Sequence, residues 1–505
     1  MANRIGKFVR SDLGVLLLVA VVRIFIHVVT NGQYGFHRDE LQTLDDARHL
    51  DWGFVAYPPI APLIGRLELI LFGTSLVGFR VFAAVAVSLV MVLAGLIAKE
   101  LGGDRRIQLL AAIATGISPI SLTQGAVFQY VSFDYLWGTA TTYFLVRLAK
   151  SGDPRWWLAI GAMLGLGMET RYTAGFLALG LVGGLLFTPL RRQLLGGWLW
   201  AGVGLSVLIF LPNVIWQGNH HFISLDFLSH LHARDLRQGR YHDFYIGQPQ
   251  ICVNIVTVPL ALLGLWFYLI RQEGRRFRLL GWTFVVTFLL FAIAGARAYY
   301  TAPLYPVLIA GGSVMFGGWI VALRPQRARL IWVTQWSLLL IAGVLFAFLV
   351  MPIAPIGSRV WRVTAKLHDQ FREEIGWPEL AQSVARACRS LPPEERARAG
   401  ILTGNYGEGG ALNLYGPSLG LPPAMTLTNS FWYRTFDPRE PETVIVVGFD
   451  LDEAQRVFES CAVAGKNTNA LDVENEESRD HLDILVCRNL KMPWKEYWAT
   501  HRRFG

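Results

Sequence analysis

Two adjacent carboxylates open the most informative stretch of this sequence, GFHRDELQTLDDARHLDWGFVAYPPIAPLIGRL. Asp39 and Glu40 follow directly on the first long apolar run, which places them at a membrane boundary. Side by side there, two carboxylates repel each other and resist burial. One reason to hold them is chemistry; the other is a solvated helix start, where acids are common. Further on, Tyr57-Pro58-Pro59 fixes a rigid turn, and Ile60–Phe72 reads as a helix along the interface. Asp134 lies near the end of a later apolar run. A carboxylate inside the membrane boundary is a functional candidate, unless it only pairs with an arginine. Arg23 and His27, one turn apart within the first run, read as groups that bond neighbouring helices.

Two further clusters stand out. Residues 217–249 carry His220, His221, His230, His232 and His242 with Arg234, Arg237 and Arg240. Histidine clusters suggest metal, but this spacing matches no tight ligand pattern, and a basic loop facing phosphate needs none. NYGEGGALNLYGP (405–417) puts a Gly-rich run after a strand, as phosphate-cradling turns do. It lacks GxGxxG and the Walker spacing, which argues against a nucleotide. Asn405, Tyr406 and Glu408 either face a cavity and touch a substrate or belong to a domain that only braces the rest.

The elements behind these residues are those of a membrane protein. The chain has 505 residues, 53% hydrophobic and 16% charged, where a soluble domain carries about 25% charged residues. The deficit is local: apolar runs follow one another from Leu13 to Val350, and ordinary soluble sequence begins after Met351. That excludes a plain soluble enzyme and a disordered tail, and four cysteines are too few for a disulfide scaffold. The net charge of +9 invites a nucleic-acid partner. It is rejected, because the basic residues cluster between apolar runs, where membrane topology puts them. About eleven runs approach the roughly 20 residues a bilayer needs: 12–30, 79–98, 107–122, 131–148, 156–170, 173–188, 197–216, 250–270, 279–296, 302–322 and 330–351.

Lys and Arg bias sets the orientation. With a cytoplasmic N-terminus, Arg4, Lys7, Arg10, Lys99, Arg105, Arg106, Arg191, Arg192 and the 271–278 and 324–329 clusters all lie inside. Most acids, Asp39, Glu40, Asp45, Asp46 and Asp51 among them, then lie outside. The N-terminus resembles a signal peptide without a small-residue cleavage site, so it is read as a retained first span. The expectation is a mainly α protein: a polytopic domain over 1–351 with an outer loop at 31–78, and an extracytoplasmic α/β domain over 352–505. In the latter, Trp377–Leu391 and Leu451–Ser460 read as helices, and Gly400–Thr403, Thr443–Gly448 and Leu482–Cys487 as strands. Of its cysteines, Cys461 and Cys487 form the favoured bridge with Cys388 spare; three free thiols are the alternative.

Taken together, these motifs resemble the lipid-linked glycosyltransferases of family 39. That group includes the protein O-mannosyltransferases and bacterial aminoarabinose transferases, with their multi-span GT-C fold. The resemblance rests on Asp-Glu near the start of the first outer loop, Tyr-Pro-Pro beyond it and an interfacial helix. It also rests on YVSFDYLWGTATTYFLVRL, on RAYYTAPLYPVLIAGG, and on ETRYTAGF with Arg171 where lysine is usual. The tail motif is similar to that of bacterial members with an outer C-terminal domain. This chain has fewer spans than the aminoarabinose transferases.

The resemblance implies sugar transfer from a polyprenyl-phosphate donor to an extracytoplasmic glycan, lipid or protein, in the plasma or inner membrane and among its lipids. Asp39 matches the catalytic Asp and is assigned as base, with Glu40 orienting the acceptor or holding a cation. One base and direct displacement imply inversion; retention would need a carboxylate nucleophile. Arg171 and Arg297 lie at outer span ends and suit bidentate phosphate contact, unless they merely snorkel. Tyr57, Asp134, Tyr299, Tyr300, Arg240 and His242 complete the donor-side set; for Tyr299 and Tyr300 an interfacial aromatic belt is the alternative. Asn405, Tyr406 and Glu408 are the acceptor-side set. No cofactor is implied, and a divalent metal stays the minor alternative. The competing readings are a transporter or lipid flippase, against which no internal repeat is found, and a non-catalytic envelope scaffold.

Overall fold

The computed structural model describes residues 10–505; Arg4 and Lys7, used above for orientation, lie outside them. The chain starts with α1 (Asp12–Thr30), α2 (Arg38–Arg48) and α3 (Ile60–Phe72). It continues through α4 (Val81–Glu100), α5 (Arg105–Gly116), α6 (Pro119–Ala126), α7 (Tyr130–Ser151), α8 (Trp156–Met168) and α9 (Ala174–Leu186). Then come α10 (Gly197–Asn219), α11 (Ile223–Arg237), α12 (Val258–Leu269), α13 (Arg278–Ile293), α14 (Tyr305–Val321) and α15 (Pro325–Val350). Among the described residues six helical stretches are long and apolar enough to cross a membrane, or eight if two bent pairs each count as one span. Trp156–Met168 and Val258–Leu269 are apolar but shorter. The protein is a multi-pass membrane protein, and several of the eleven runs in its sequence are short or broken helices rather than full spans.

The break between α5 and α6 bends the chain by 63°. Ser118 is extended and Pro119 lacks the N–H that would continue the helix. Arg23 stabilises the bend from α1: its guanidinium donates to the carbonyls of Val87 at 2.9 Å and Ser121 at 2.7 Å, and to Ser121 Oγ at 2.9 Å. Beyond α6 the chain emerges at Phe128 and Gln129, which reach the Asp-Glu pair.

Helix α2 forms where it does because of its first turn. His37 Nδ1 accepts from Asp39 N at 3.1 Å, and Glu40 Oε2 accepts from His37 N at 2.8 Å, a reciprocal capping box. Asp39 and Glu40 also sit where the helix dipole favours negative charge.

The segment after α15 adds α16 (Arg359–Leu367), α17 (Trp377–Arg389), β1 (Gly400–Thr403), α18 (Tyr406–Tyr415), β2 (Ala424–Thr426), β3 (Thr443–Val447), β4 (Phe458–Lys466) and β5 (Asp483–Leu490). The sheet order is β2-β1-β3-β5-β4. β1 runs parallel to β2 and β3, while β5 is antiparallel to β3 and β4. The helix expected to reach Ser460 stops at Val457, because Phe458–Lys466 pairs with β5 instead. This registry puts Cys461 opposite Cys487, and the two are bridged; Cys388 and Cys252 are free and buried.

The tail packs directly on the first loop. Phe36, Leu41 and Leu44 share one apolar core with Trp377, Leu380, Val384, Ile401, Ala411 and Ile445. Burying each large side chain there contributes about 2 kcal/mol. The glycines of NYGEGG serve this contact. A Cβ on Gly410 would lie 2.7 Å from the Leu41 carbonyl oxygen, and one on Gly407 would lie 3.0 Å from Arg38 Cβ. The Gly-rich run is therefore a helix-packing face, not a phosphate cradle.

Candidate active site

A cleft of about 460 Å³ opens between α2, α7, α11, α18 and the 294–300 segment. Asp39 lies in it, on the first turn of α2, with its side chain 43% exposed to the cleft. Both of its oxygens are held. Gln129 Nε2 donates to Oδ2 and the Tyr406 hydroxyl to Oδ1, each at 2.9 Å. Burial pushes the Asp39 carboxyl up, but His37, Arg38, the Tyr406 hydrogen bond and Arg297 together outweigh it and hold it below the usual carboxylate range. The group is thus an ionised carboxylate held in a fixed orientation. Tyr406 moves the other way: burial and the Asp39 charge raise its phenol well above the ordinary value, so it stays a donor.

Five arginines, Arg38, Arg171, Arg234, Arg240 and Arg297, line the cleft against three acids, Asp39, Asp235 and Glu476. The balance favours an anionic ligand. Arg171 is 7% exposed and its guanidinium lies 3.9, 5.1 and 5.2 Å from the rings of Tyr300, Tyr299 and Tyr130. Asp134 stands 3.7 Å away, and Arg171 Nη1 makes no hydrogen bond. The Tyr57-Pro58-Pro59 turn delivers this segment, since Ile60 N donates to the Glu169 carbonyl at 3.1 Å. Arg297 donates twice to Asp235, at 2.6 and 2.8 Å, and Arg240 Nη1 lies 3.4 Å from the same carboxylate. Arg234, half-buried on α11, has an unpartnered Nε; burial and Arg297 lower its pKa. Phe176, Phe227, Leu228, Leu231 and Phe291 give the cleft an apolar wall.

The cleft brings together Asp39, Tyr57, Arg171, Arg240, Arg297, Tyr300 and Tyr406, with Tyr299 and Asp134 against Arg171. Four other sequence candidates stand outside its lining. Glu40 is fully buried and accepts from Arg80 at 2.8 and 2.6 Å, from His37 N, and from Phe128 N at 2.7 Å. No lone pair is left for an acceptor, so of its two expected roles it takes the cation-holding one. Asn405 and Glu408 cap α18 reciprocally, and burial pushes the Glu408 carboxyl up to about 7. His242 sits on an exposed turn at Arg240–His242. Tyr57 contributes its ring to the cleft wall, but its hydroxyl donates to Asp46 at 2.6 Å. Among the described residues no group of three or more His, Cys, Asp or Glu side chains is placed to hold a metal ion.

Sequence reasoning missed Gln129, Asp235 and Arg80. Asp235 had a signal, as the acid within the basic run 230–240. Gln129 and Arg80 had none, since each acts only through a residue remote in sequence.

Residues 56–216 match the family model described as dolichyl-phosphate-mannose-protein mannosyltransferase. No curated protein matches the chain in sequence. Its structure is similar to that of ArnT from Cupriavidus metallidurans bound to undecaprenyl phosphate, with a TM-score of 0.52 at 14% identity over 94% of this chain and 97% of that one. The chain has the GT-C glycosyltransferase fold. The oligosaccharyltransferase of Archaeoglobus fulgidus, in complex with Zn and sulfate, is also similar: TM-score 0.50, 12% identity, 86% of this chain and 68% of that one. In this GT-C chain the matched segment 56–216 contains Tyr57, Gln129, Asp134 and Arg171, while Asp39, Arg297 and Tyr406 lie beyond it.

Proposed function

We propose that this protein transfers a sugar from a polyprenyl-phosphate donor to an acceptor hydroxyl on the cleft side of the membrane, read as the extracytoplasmic side. The observation that carries the reading is the cleft itself. An ionised Asp39 shares it with five arginines and an apolar wall. A lipid-linked phosphate needs cations for its headgroup and hydrocarbon-like surface for its chain. The acceptor hydroxyl attacks the anomeric carbon, its proton passes to Asp39, and the bond from that carbon to the phosphate oxygen breaks. Polyprenyl phosphate then leaves with the bonding electrons, its charge met by Arg171, Arg234 and Arg297. A weak base suffices, because in an oxocarbenium-like transition state the leaving bond is largely broken before the proton moves. Attack on the face opposite the phosphate inverts the anomeric centre. Among the cleft-lining residues the acids are Asp39, Asp235 and Glu476. The latter two pair with Arg297 and Arg38, which favours direct displacement over a carboxylate nucleophile.

The test is release of polyprenyl phosphate from synthetic polyprenyl-phosphate sugars by the purified full chain. Asp39→Asn should lower kcat by about 10²–10⁴ with insertion and thermal stability retained. Undiminished turnover in Asp39→Asn overturns the assignment.

A further inference from the structure

Helix α16 lies outside the cleft and divides into three sectors. Trp361, Thr364 and Ala365 are buried against the protein. Val360, Val363 and Leu367 are 48%, 60% and 70% exposed. Arg359, Arg362 and Lys366 are exposed and pair with no acid among the described residues. At 100° per residue the apolar trio forms one narrow stripe and the basic trio the stripe beside it. The helix contains no acid. An exposed apolar stripe flanked by unpaired cations has no reason to face water.

Its position is set twice over. The spanning helix α15 ends at Val350, and the short link to Arg359 keeps α16 near that end. Independently, Trp361 and Ala365 share a core with Tyr34, just beyond the end of α1 at Thr30, and with Ala354. The Tyr34 hydroxyl donates to the Ala354 carbonyl at 2.6 Å. Two spanning helices therefore hold α16 at one membrane boundary.

We propose that Arg359–Leu367 is a bilayer-surface helix: Val360, Val363 and Leu367 enter the acyl boundary, and Arg359, Arg362 and Lys366 bind anionic lipid headgroups. Each basic residue at an anionic surface strengthens association about fivefold.

The full chain carrying Val363→Cys, labelled with bimane, is reconstituted in nanodiscs of phosphatidylcholine with or without phosphatidylglycerol. The other free cysteines, Cys252 and Cys388, are buried. Nitroxide-bearing lipid should quench the label, aqueous acrylamide should not, and phosphatidylglycerol should deepen the lipid quenching. Replacing Arg359, Arg362 and Lys366 by Gln should abolish the phosphatidylglycerol effect. Free access of acrylamide, lipid quenching indifferent to phosphatidylglycerol, or self-quenching that grows with protein-to-lipid ratio (a second copy on the stripe) each overturns the proposal.

Discussion

The Tyr406 hydroxyl donates to Asp39 Oδ1 at 2.9 Å across 367 positions of sequence. A residue of the tail thereby orients the carboxylate of the first loop, and it also lowers that carboxyl's pKa. Because the Asp39 pKa is depressed, the base is ionised at neutral pH, and activity is lost as pH falls through that low value. Tyr406→Phe removes one of the lowering contributions. The acid limb of the kcat/KM profile should therefore move to higher pH. A pH–rate series on the wild type and Tyr406→Phe checks this; coincident acid limbs would mean that the hydroxyl does not act through Asp39.

Glu40 and its neighbour should separate cleanly in mutagenesis. Glu40 and Arg80 are both 0% exposed, with Glu374 as a further partner at 3.2 Å. Replacing Glu40 leaves the buried Arg80 with Glu374 alone, and breaking one arm of a buried ion network costs up to about 3–5 kcal/mol. Glu40→Gln should thus lower thermal stability sharply, whereas Asp39→Asn should spare it. Denaturation of the two variants in detergent, followed by intrinsic fluorescence, gives the comparison.

Arg171 is poised for planar stacking rather than for a point charge. It lies against Tyr130, Tyr299 and Tyr300, and its Nη1 faces Asp134 at 3.7 Å without a hydrogen bond. Lysine keeps the charge but neither the stacking nor the fork. Arg171→Lys should lower kcat/KM for the lipid-phosphate donor by about 10²–10³, with the acceptor KM little changed. Steady-state kinetics varying each substrate in turn measures the split.

Local signals explain what the sequence made legible. The Asp-Glu pair, the Tyr-Pro-Pro turn and the arginines at helix ends are short motifs whose chemistry reads without a fold, and most of their residues meet in one cleft. Strands β1, β3 and β5 were visible as apolar runs. Strand β4 was not, because its residues are mostly exposed and a charged opening, LDEAQRV, reads as helix. The partition between Asp39 and Glu40 was also hidden. Adjacent positions on a helix point about 100° apart, and only the packed fold reveals which one meets Arg80. The same holds for Asn405, Tyr406 and Glu408: the capping box of α18 consumes two of them and sends the third to Asp39.

The bridge between Cys461 and Cys487 should govern the stability of the tail without touching the chemistry. It joins directly opposed residues of β4 and β5 and closes a separation of 26 residues. A loop of that size contributes about 3 kcal/mol through the unfolded state. Strand β4 is the sheet's edge, whereas Tyr406 follows β1 two strands away from β5. The bridge therefore stands at least two strands from the one that leads into Tyr406, and its removal is expected to act on Asp39 through the stability of the tail. Cys461→Ser with Cys487→Ser should lower the melting temperature of the tail by about 6–12 °C, while initial rates well below that temperature stay at the wild-type level. Calorimetry with and without reductant gives the first quantity and the polyprenyl phosphate release assay the second. A rate that falls before the tail melts would place the edge strand in contact with the working cleft.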